Sequence, residues 1–152
     1  VNYGTFQLGD RGYAVPLTAV REVLHHPRLS VVPLAPEGLA GMTLCRGEVL
    51  PVMELQSVLQ APVSSGVRSR VLVLQHAGKL AGISADTVST ATAEAPRAET
   101  AFSLGELHSP GTITAGGTLW TVLEVHGLFA LFDRWFALPI LPRDPHPTPT
   151  YA

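Results

Sequence analysis

The run Gly41-Met42-Thr43-Leu44-Cys45-Arg46-Gly47-Glu48-Val49-Leu50-Pro51-Val52-Met53-Glu54-Leu55 holds two short apolar segments around a two-residue break. Residues 42–45 and 48–53 are each strand length, and Arg46-Gly47 between them supplies turn chemistry, so a β-hairpin is predicted. Leu55, Val58 and Leu59 then recur at helical spacing and predict a brief helix that stops before Pro62.

Working outward, the same grammar repeats. Upstream, residues 5–8 and 13–17 flank Gly9-Asp10-Arg11-Gly12 as another hairpin. Residues 19–26 place Val20, Val23 and Leu24 at i, i+3, i+4, which predicts a short amphipathic helix ending before Pro27. Residues 29–34 read as a strand closed by a Pro33/Pro36 loop. Downstream, residues 61–69 are small and polar, the best internal boundary. Beyond them, 70–75 and 79–84 flank Ala77-Gly78, 87–93 reads as a strand, and 94–100 as a polar connection. A last hairpin, 111–115 and 118–125 around Gly116-Gly117, leads to a terminal helix over 128–136. The sequence after Leu141 is a proline-rich extended tail.

The two halves match each other. Gly47, Val52, Glu54, Leu55, Val58 and Leu59 meet Gly117, Val122, Glu124, Val125, Leu128 and Phe129 at an offset of 70. Phe6, Leu8, Gly12 and Leu17 meet Leu72, Leu74, Gly78 and Ile83 at an offset of 66. A duplicated unit of about five strands follows, and closing each set into a small barrel is the economical way to leave no bare edges.

Composition narrows the function. The 152 residues are 46% hydrophobic and only 14% charged, a chain that folds rather than stays disordered. Fourteen glycines and thirteen prolines interrupt the sequence too often for long helices. The apolar runs are too short to cross a membrane as a helix, and the opening Val1-Asn2-Tyr3-Gly4 lacks the basic and apolar regions of a secretory signal, so a soluble, cytoplasmic protein is expected. A net charge of -2 offers no basic face for nucleic acid. With one cysteine, Cys45, no internal disulfide forms, which suits a reducing compartment.

Catalytic patterns are thin. His25, His26, His76, His108, His126 and His146 form no metal-ligand spacing, so no metal is expected. No phosphate loop and no G-x-S-x-G elbow are present, and no cofactor is expected. Cys45 beside Arg46 is a candidate nucleophile, against its ordinary reading as a small buried hydrophobe, and Ser84 with Asp86 is a weaker one. Glu54 and Glu124 each precede a helix, where a carboxylate is favoured. Apolar residues in excess of what a core needs point instead to partner surfaces.

Several segments together resemble one family: Tyr13-Ala-Val-Pro16, Val20-Arg-Glu22-Val23, Gly41 through Leu55, Gly82-Ile-Ser-Ala-Asp86-x-Val88 and Leu119-Trp-Thr-Val-Leu-Glu124. In this order and spacing they resemble the CheW-like coupling proteins of bacterial chemosensory systems, over about residues 5–132. The resemblance implies an all-β fold of two adjacent five-stranded β-barrels with short connecting helices. The approximate sub-barrels are 5–62 and 69–132, with strand exchange between them left open, and 133–152 forms the helix end and tail. It also implies a non-catalytic adaptor that joins the regulatory domain of a CheA-type histidine kinase to the cytoplasmic hairpin tip of chemoreceptors. Such a protein works in the cytoplasm, recruited to membrane receptor arrays.

Carried over by motif, Val20 and Glu22 fall in the family's V-x-E segment, while Gly41, Arg46 and Gly47 fall in its Arg-Gly hairpin; these are the expected partner contacts. Arg46 presents a planar fork of donors from a strand end, suited to a carboxylate or carbonyl. The family's usual Asn two residues before that Arg is Leu44 here, its Val-Asp pair is Ala85-Asp86, and its closing Leu-Asp is Leu123-Glu124. The alternatives are a CheW-like regulatory module of a kinase or of a specialised non-motility pathway, and a small barrel hydrolase using Cys45.

Overall fold

A computed structural model describes residues 1–61 and 68–137, with side chains as far as Trp135. The expected tail and most of the expected boundary loop lie outside the described residues. Among those described, the strands are β1 (Asn2–Leu8), β2 (Arg11–Pro16), β3 (Val20–His25), β4 (Leu39–Cys45), β5 (Glu48–Met53), β6 (Arg70–His76), β7 (Lys79–Ala85), β8 (Thr87–Thr92), β9 (Phe102–Leu104), β10 (Leu107–Ser109), β11 (Gly111–Ala115) and β12 (Thr118–Val122). Two α-helices, α1 (Gln56–Leu59) and α2 (Val125–Ala137), complete the order.

The strands form two five-stranded sheets, β11-β12-β2-β1-β8 and β3-β6-β7-β5-β4, with β9-β10 a separate hairpin. Read from its other end, the second sheet is β4-β5-β7-β6-β3, so both have the same plan. Each takes the leading hairpin of one half and the trailing strands of the other. The sheets therefore cross the division at 61–69: β1 and β2 pair with β8 and β12, and β6 and β7 pair with β3 and β5. This exchange puts each leading hairpin in mid-sheet, where both of its edges are paired.

The registers correct one repeat offset and keep the other. The turns at 46–47 and 116–117 are equivalent, since Cys45 faces Glu48 and Ala115 faces Thr118, an offset of 70 as expected. In the parallel pairs, however, Val122 faces Ala14 and Val52 faces Gly82. The leading hairpins therefore correspond at 82 − 14 = 68, not 66. A slip of two keeps every side chain on its own face, which is why the hydrophobic pattern did not expose it.

Residues 20–25 are a strand, not the helix expected over 19–26. Val20 faces Leu74 and Val23 faces Leu72, with a bulge between Val20 and Glu22. The extra residue sets two same-face valines three positions apart and so imitates a helical period. Both valines pack on the shared core, and Leu24 packs on the other face of the sheet. The strand expected over 29–34 reduces to one bridge, in which Ser30 and Met42 exchange backbone hydrogen bonds of 2.8 and 2.9 Å. Pro33, Pro36 and a left-handed Leu34 (φ 59°) prevent a longer ladder. The β9-β10 hairpin falls in a stretch the sequence left unassigned.

One core joins the sheets. Phe6, Leu8, Leu72, Leu74, Met53, Ile83 and Leu123 lie in it with Leu128 and Phe132 of α2. Each sheet also has its own small cluster on the opposite face: Cys45, Leu50, Val52, Val71 and Val73 in the second, and Tyr3, Ala14, Ile113 and Val122 in the first. Alternate residues of β6 thus serve two cores, and the strand reads as continuously apolar.

Candidate partner-binding surface

The β4-β5 turn is built for a side chain to stand out from a rigid base. Arg46 (φ 51°) and Gly47 (φ 82°) both have positive φ, the requirement of a type I′ hairpin turn. Glycine meets it freely; arginine meets it at a cost of about 1 kcal/mol or more. The Arg46 side chain is 70% exposed.

Although β3 and β4 are the two outer strands of the second sheet, their side chains meet. Glu22 of β3 accepts hydrogen bonds from Arg46 Nε at 2.9 Å and from Cys45 Sγ at 3.0 Å. Together with the Ser30–Met42 bridge, these contacts draw the sheet's edges toward one another without a backbone ladder between β3 and β4. Donation by the Cys45 thiol, and then by Arg46, holds the Glu22 carboxyl below its ordinary range. The bond to Glu22, reinforced by burial, pushes the Cys45 thiol up. This arrangement suppresses the thiolate and works against Cys45 as a nucleophile.

Of the other expected contacts, Val20 and Gly41 lie apart from this cluster. Val20 faces the shared core, in line with Leu74, whereas Glu22 aligns with Val73 on the opposite face. Val20 also packs over Gly4, where a Cβ would come within 2.7 Å of Val20 Cγ2. Gly41 sits beside the Ser30 bridge, and a Cβ there would approach the Ser30 carbonyl oxygen to 2.9 Å. Gly41 therefore admits the neighbouring segment, and Gly47 shapes the turn.

Sequence reasoning missed Cys45 as a member of the polar cluster and missed the apolar patch next to it. Leu44 and Val49 face each other across β4 and β5 and are 67% and 63% exposed. With Arg28, Ser30, Met42 and Thr43 they line an open groove of about 360 Å³. The alternation of β4 carries the signal: Cys45 points in, so Leu44 points out. Among the described residues no group of three or more histidine, cysteine, aspartate or glutamate side chains could hold a metal ion.

A profile of the CheW-like domain matches residues 2–133. The chain belongs to the CheW-like domain family. Protein PilI of Pseudomonas aeruginosa is 36% identical over 84 residues, 55% of this chain and 47% of PilI. Protein FrzA of Myxococcus xanthus is 39% identical over 84 residues, 55% of this chain and 52% of FrzA. The matched stretch thus spans about half the length of these two relatives. A probable chemotaxis protein CheW of Rhizobium etli is 28% identical over 131 residues, 82% of this chain and 84% of that protein. The crystal structure of scaffolding protein TtCheW from Thermoanaerobacter tengcongensis superposes with a TM-score of 0.69 at 22% identity, covering 84% of this chain and 91% of that one. That likeness establishes the CheW fold, an all-β architecture built on two sheets. Among the described residues of this CheW-like chain, no helix is long and apolar enough to cross a membrane.

Proposed function

We propose that this chain is a non-catalytic adaptor joining a CheA-type histidine kinase, through its regulatory domain, to the cytoplasmic hairpin tip of chemoreceptors, and that it works in the cytoplasm at receptor arrays. The observation that carries this reading is the β4-β5 tip: a strained, exposed Arg46 braced by Glu22, beside the exposed Leu44–Val49 pair. A greasy centre with a charged rim suits protein docking. Only Nε of the guanidinium is used by Glu22, so donors remain for a partner carboxylate or carbonyl. Glu22 and Arg46 make the polar contacts, Gly47 sets the turn, and Val20 and Gly41 shape the surface from beneath. The binding unit is the CheW-like region of about 5–132, with 133–152 as an appendage.

Family membership and relatives named for chemotaxis and scaffolding support this reading. Leu44, in place of the family's usual Asn, makes the surface more apolar than the resemblance implies and favours partners particular to a specialised pathway. Co-sedimentation with receptor-containing membranes and a CheA-type kinase tests the proposal. The protein should pellet with both, and Arg46→Glu, which sets two carboxylates together at the tip, should leave it in the supernatant while its unfolding curve is retained. Failure of the unaltered protein to pellet with either partner overturns the proposal.

A further inference from the structure

Two donors converge on a single atom, Glu22 Oε2, and only one of them is fixed by packing. Arg46 Nε reaches it at 2.9 Å from a side chain that is 70% exposed, while Glu22 keeps 22% of its own side chain in solvent. An ion pair so exposed is weak, and holding two long side chains in one geometry costs rotamer entropy. Cys45 reaches the same oxygen at 3.0 Å from a different setting. It is 3% exposed, turns about one χ angle, and packs with Leu50, Val52, Val71 and Val73 in the second sheet's own cluster. Glu22 aligns with Val73, so its side chain rises from the same face.

A carboxylate oxygen accepts in two lone-pair directions. At Oε2 the thiol occupies one and Nε the other. Tying the oxygen to a buried donor gives Nε a defined line of approach and sets the guanidinium plane with it. The bond to Glu22 and burial push the thiol up, so it remains an S–H donor at neutral pH. The other half shows that the turn itself does not need this donor. Ala115 stands where Cys45 does and Ser89 where Glu22 does, yet Gly116-Gly117 closes the same two-residue turn.

We propose that Cys45 is a positioning residue for the β4-β5 tip, its thiol fixing Glu22 Oε2 so that Arg46 is presented to a partner in one orientation. This role rests on the tip being the docking surface proposed above. It adds that the order of Arg46 comes from a neutral, buried donor and not from the ion pair alone. An ordered guanidinium loses less freedom on binding, so the thiol contributes affinity without touching the partner. A serine hydroxyl can take over the role, since it stands on the same single χ angle and has an O–H to donate; alanine and valine cannot.

The test compares Cys45→Ser, Cys45→Ala and Cys45→Val, first without a partner. In nitrogen-15 NMR the Arg46 Nε–H should keep the parent's shift and slow exchange with water in Cys45→Ser, and move to the averaged shift and fast exchange of a solvated arginine in Cys45→Ala. In co-sedimentation with receptor membranes and a CheA-type kinase, Cys45→Ala and Cys45→Val should each weaken binding by about fivefold, and Cys45→Ser by less than about twofold. Cys45→Val gives a second donorless readout should Cys45→Ala not fold. A purely structural role would instead make binding follow the unfolding midpoints of the three variants, whatever their donors. An Arg46 Nε–H signal unchanged in Cys45→Ala, binding as tight as the parent's in both donorless variants, or a loss in Cys45→Ser equal to that in Cys45→Ala overturns the proposal. A parent that pellets with neither partner overturns the docking reading instead, and the NMR comparison still decides whether the thiol orders Arg46.

Discussion

Duplication places two hairpin tips in equivalent positions, and their exposed atoms differ almost completely. The β4-β5 turn is Arg46-Gly47 with φ of 51° and 82°, and the β11-β12 turn is Gly116-Gly117 with φ of 58° and 76°. Cys45 corresponds to Ala115, Leu44 to Thr114 and Val49 to Leu119. Glu22 corresponds to Ser89, for these two face Val73 and Thr5 on the matching strands. The backbone is the same and asks only for positive φ, which a glycine pair supplies without strain. The Arg46 guanidinium, hydrogen-bonded to a carboxylate on a distant strand, has no counterpart at the second tip. The second tip shows what the fold alone requires.

The largest effect is expected at the buried Arg68, whose guanidinium pairs with Glu54 at 2.9 Å and Asp86 at 2.5 Å. Arg68→Ala removes the guanidinium that both Glu54 and Asp86 accept from, and should cost about 3 kcal/mol in urea unfolding at neutral pH. That is the lower end of the usual range, because the two carboxylates keep 27% and 24% of their side chains exposed. Glu124→Gln, at the position equivalent to Glu54 in the other half and half-exposed, should stay within about 0.5 kcal/mol of the parent.

A packing exchange between the sheets should come next. In the first sheet Gly12 lies under Trp120, and a Cβ on it would sit 2.5 Å from the indole Cε3. The matching positions of the second sheet are Leu80 and Leu50, which share that sheet's small cluster. One sheet pairs nothing with a large ring where the other pairs two medium side chains. Gly12→Ala should cost about 2 kcal/mol in thermal or urea unfolding. The double change Gly12→Leu with Trp120→Leu should be less damaging than Gly12→Leu alone.

The turns themselves should respond equally and modestly. An added Cβ meets nothing within 4 Å at either Gly47 or Gly117, so Gly47→Ala and Gly117→Ala should each cost about 1 kcal/mol, from backbone strain alone. Unequal costs would mean that one turn carries a constraint beyond positive φ. The smallest effect is electrostatic. Because Glu22 is held below the ordinary carboxylate range in the folded protein, its ionised form adds stability above that range, and the contribution disappears as the pH falls through the folded value. The stability gap between the parent and Glu22→Gln should therefore narrow on acidification from neutral pH toward pH 3.

Much of this was legible in the chain. Apolar runs broken by Arg46-Gly47, Ala77-Gly78 and Gly116-Gly117 disclosed three hairpins, and the offset of 70 disclosed the repeat. What stayed hidden depends on contacts distant in sequence. A bulge gave Val20 and Val23 a helical spacing, and only pairing with β6 makes them a strand. A two-residue slip is invisible to a pattern of period two, so 66 stood in for 68. Glu22 was singled out from its motif, but nothing in the local sequence says that Cys45 and Arg46, 23 and 24 residues away, share its oxygen. Arg68 donates to Glu54, Gln56 and Asp86, 12 to 18 residues away, and the set has no linear signature.

Arg46→Gly gives the first tip the Gly-Gly turn of the second and tests the central claim most directly. It removes an exposed ion pair worth little and relieves a strained backbone, so its unfolding free energy should fall within about 0.5 kcal/mol of the parent. Co-sedimentation with receptor membranes and a CheA-type kinase should nevertheless be lost. Pelleting as efficient as the parent's, from an equally stable variant, would contradict the account.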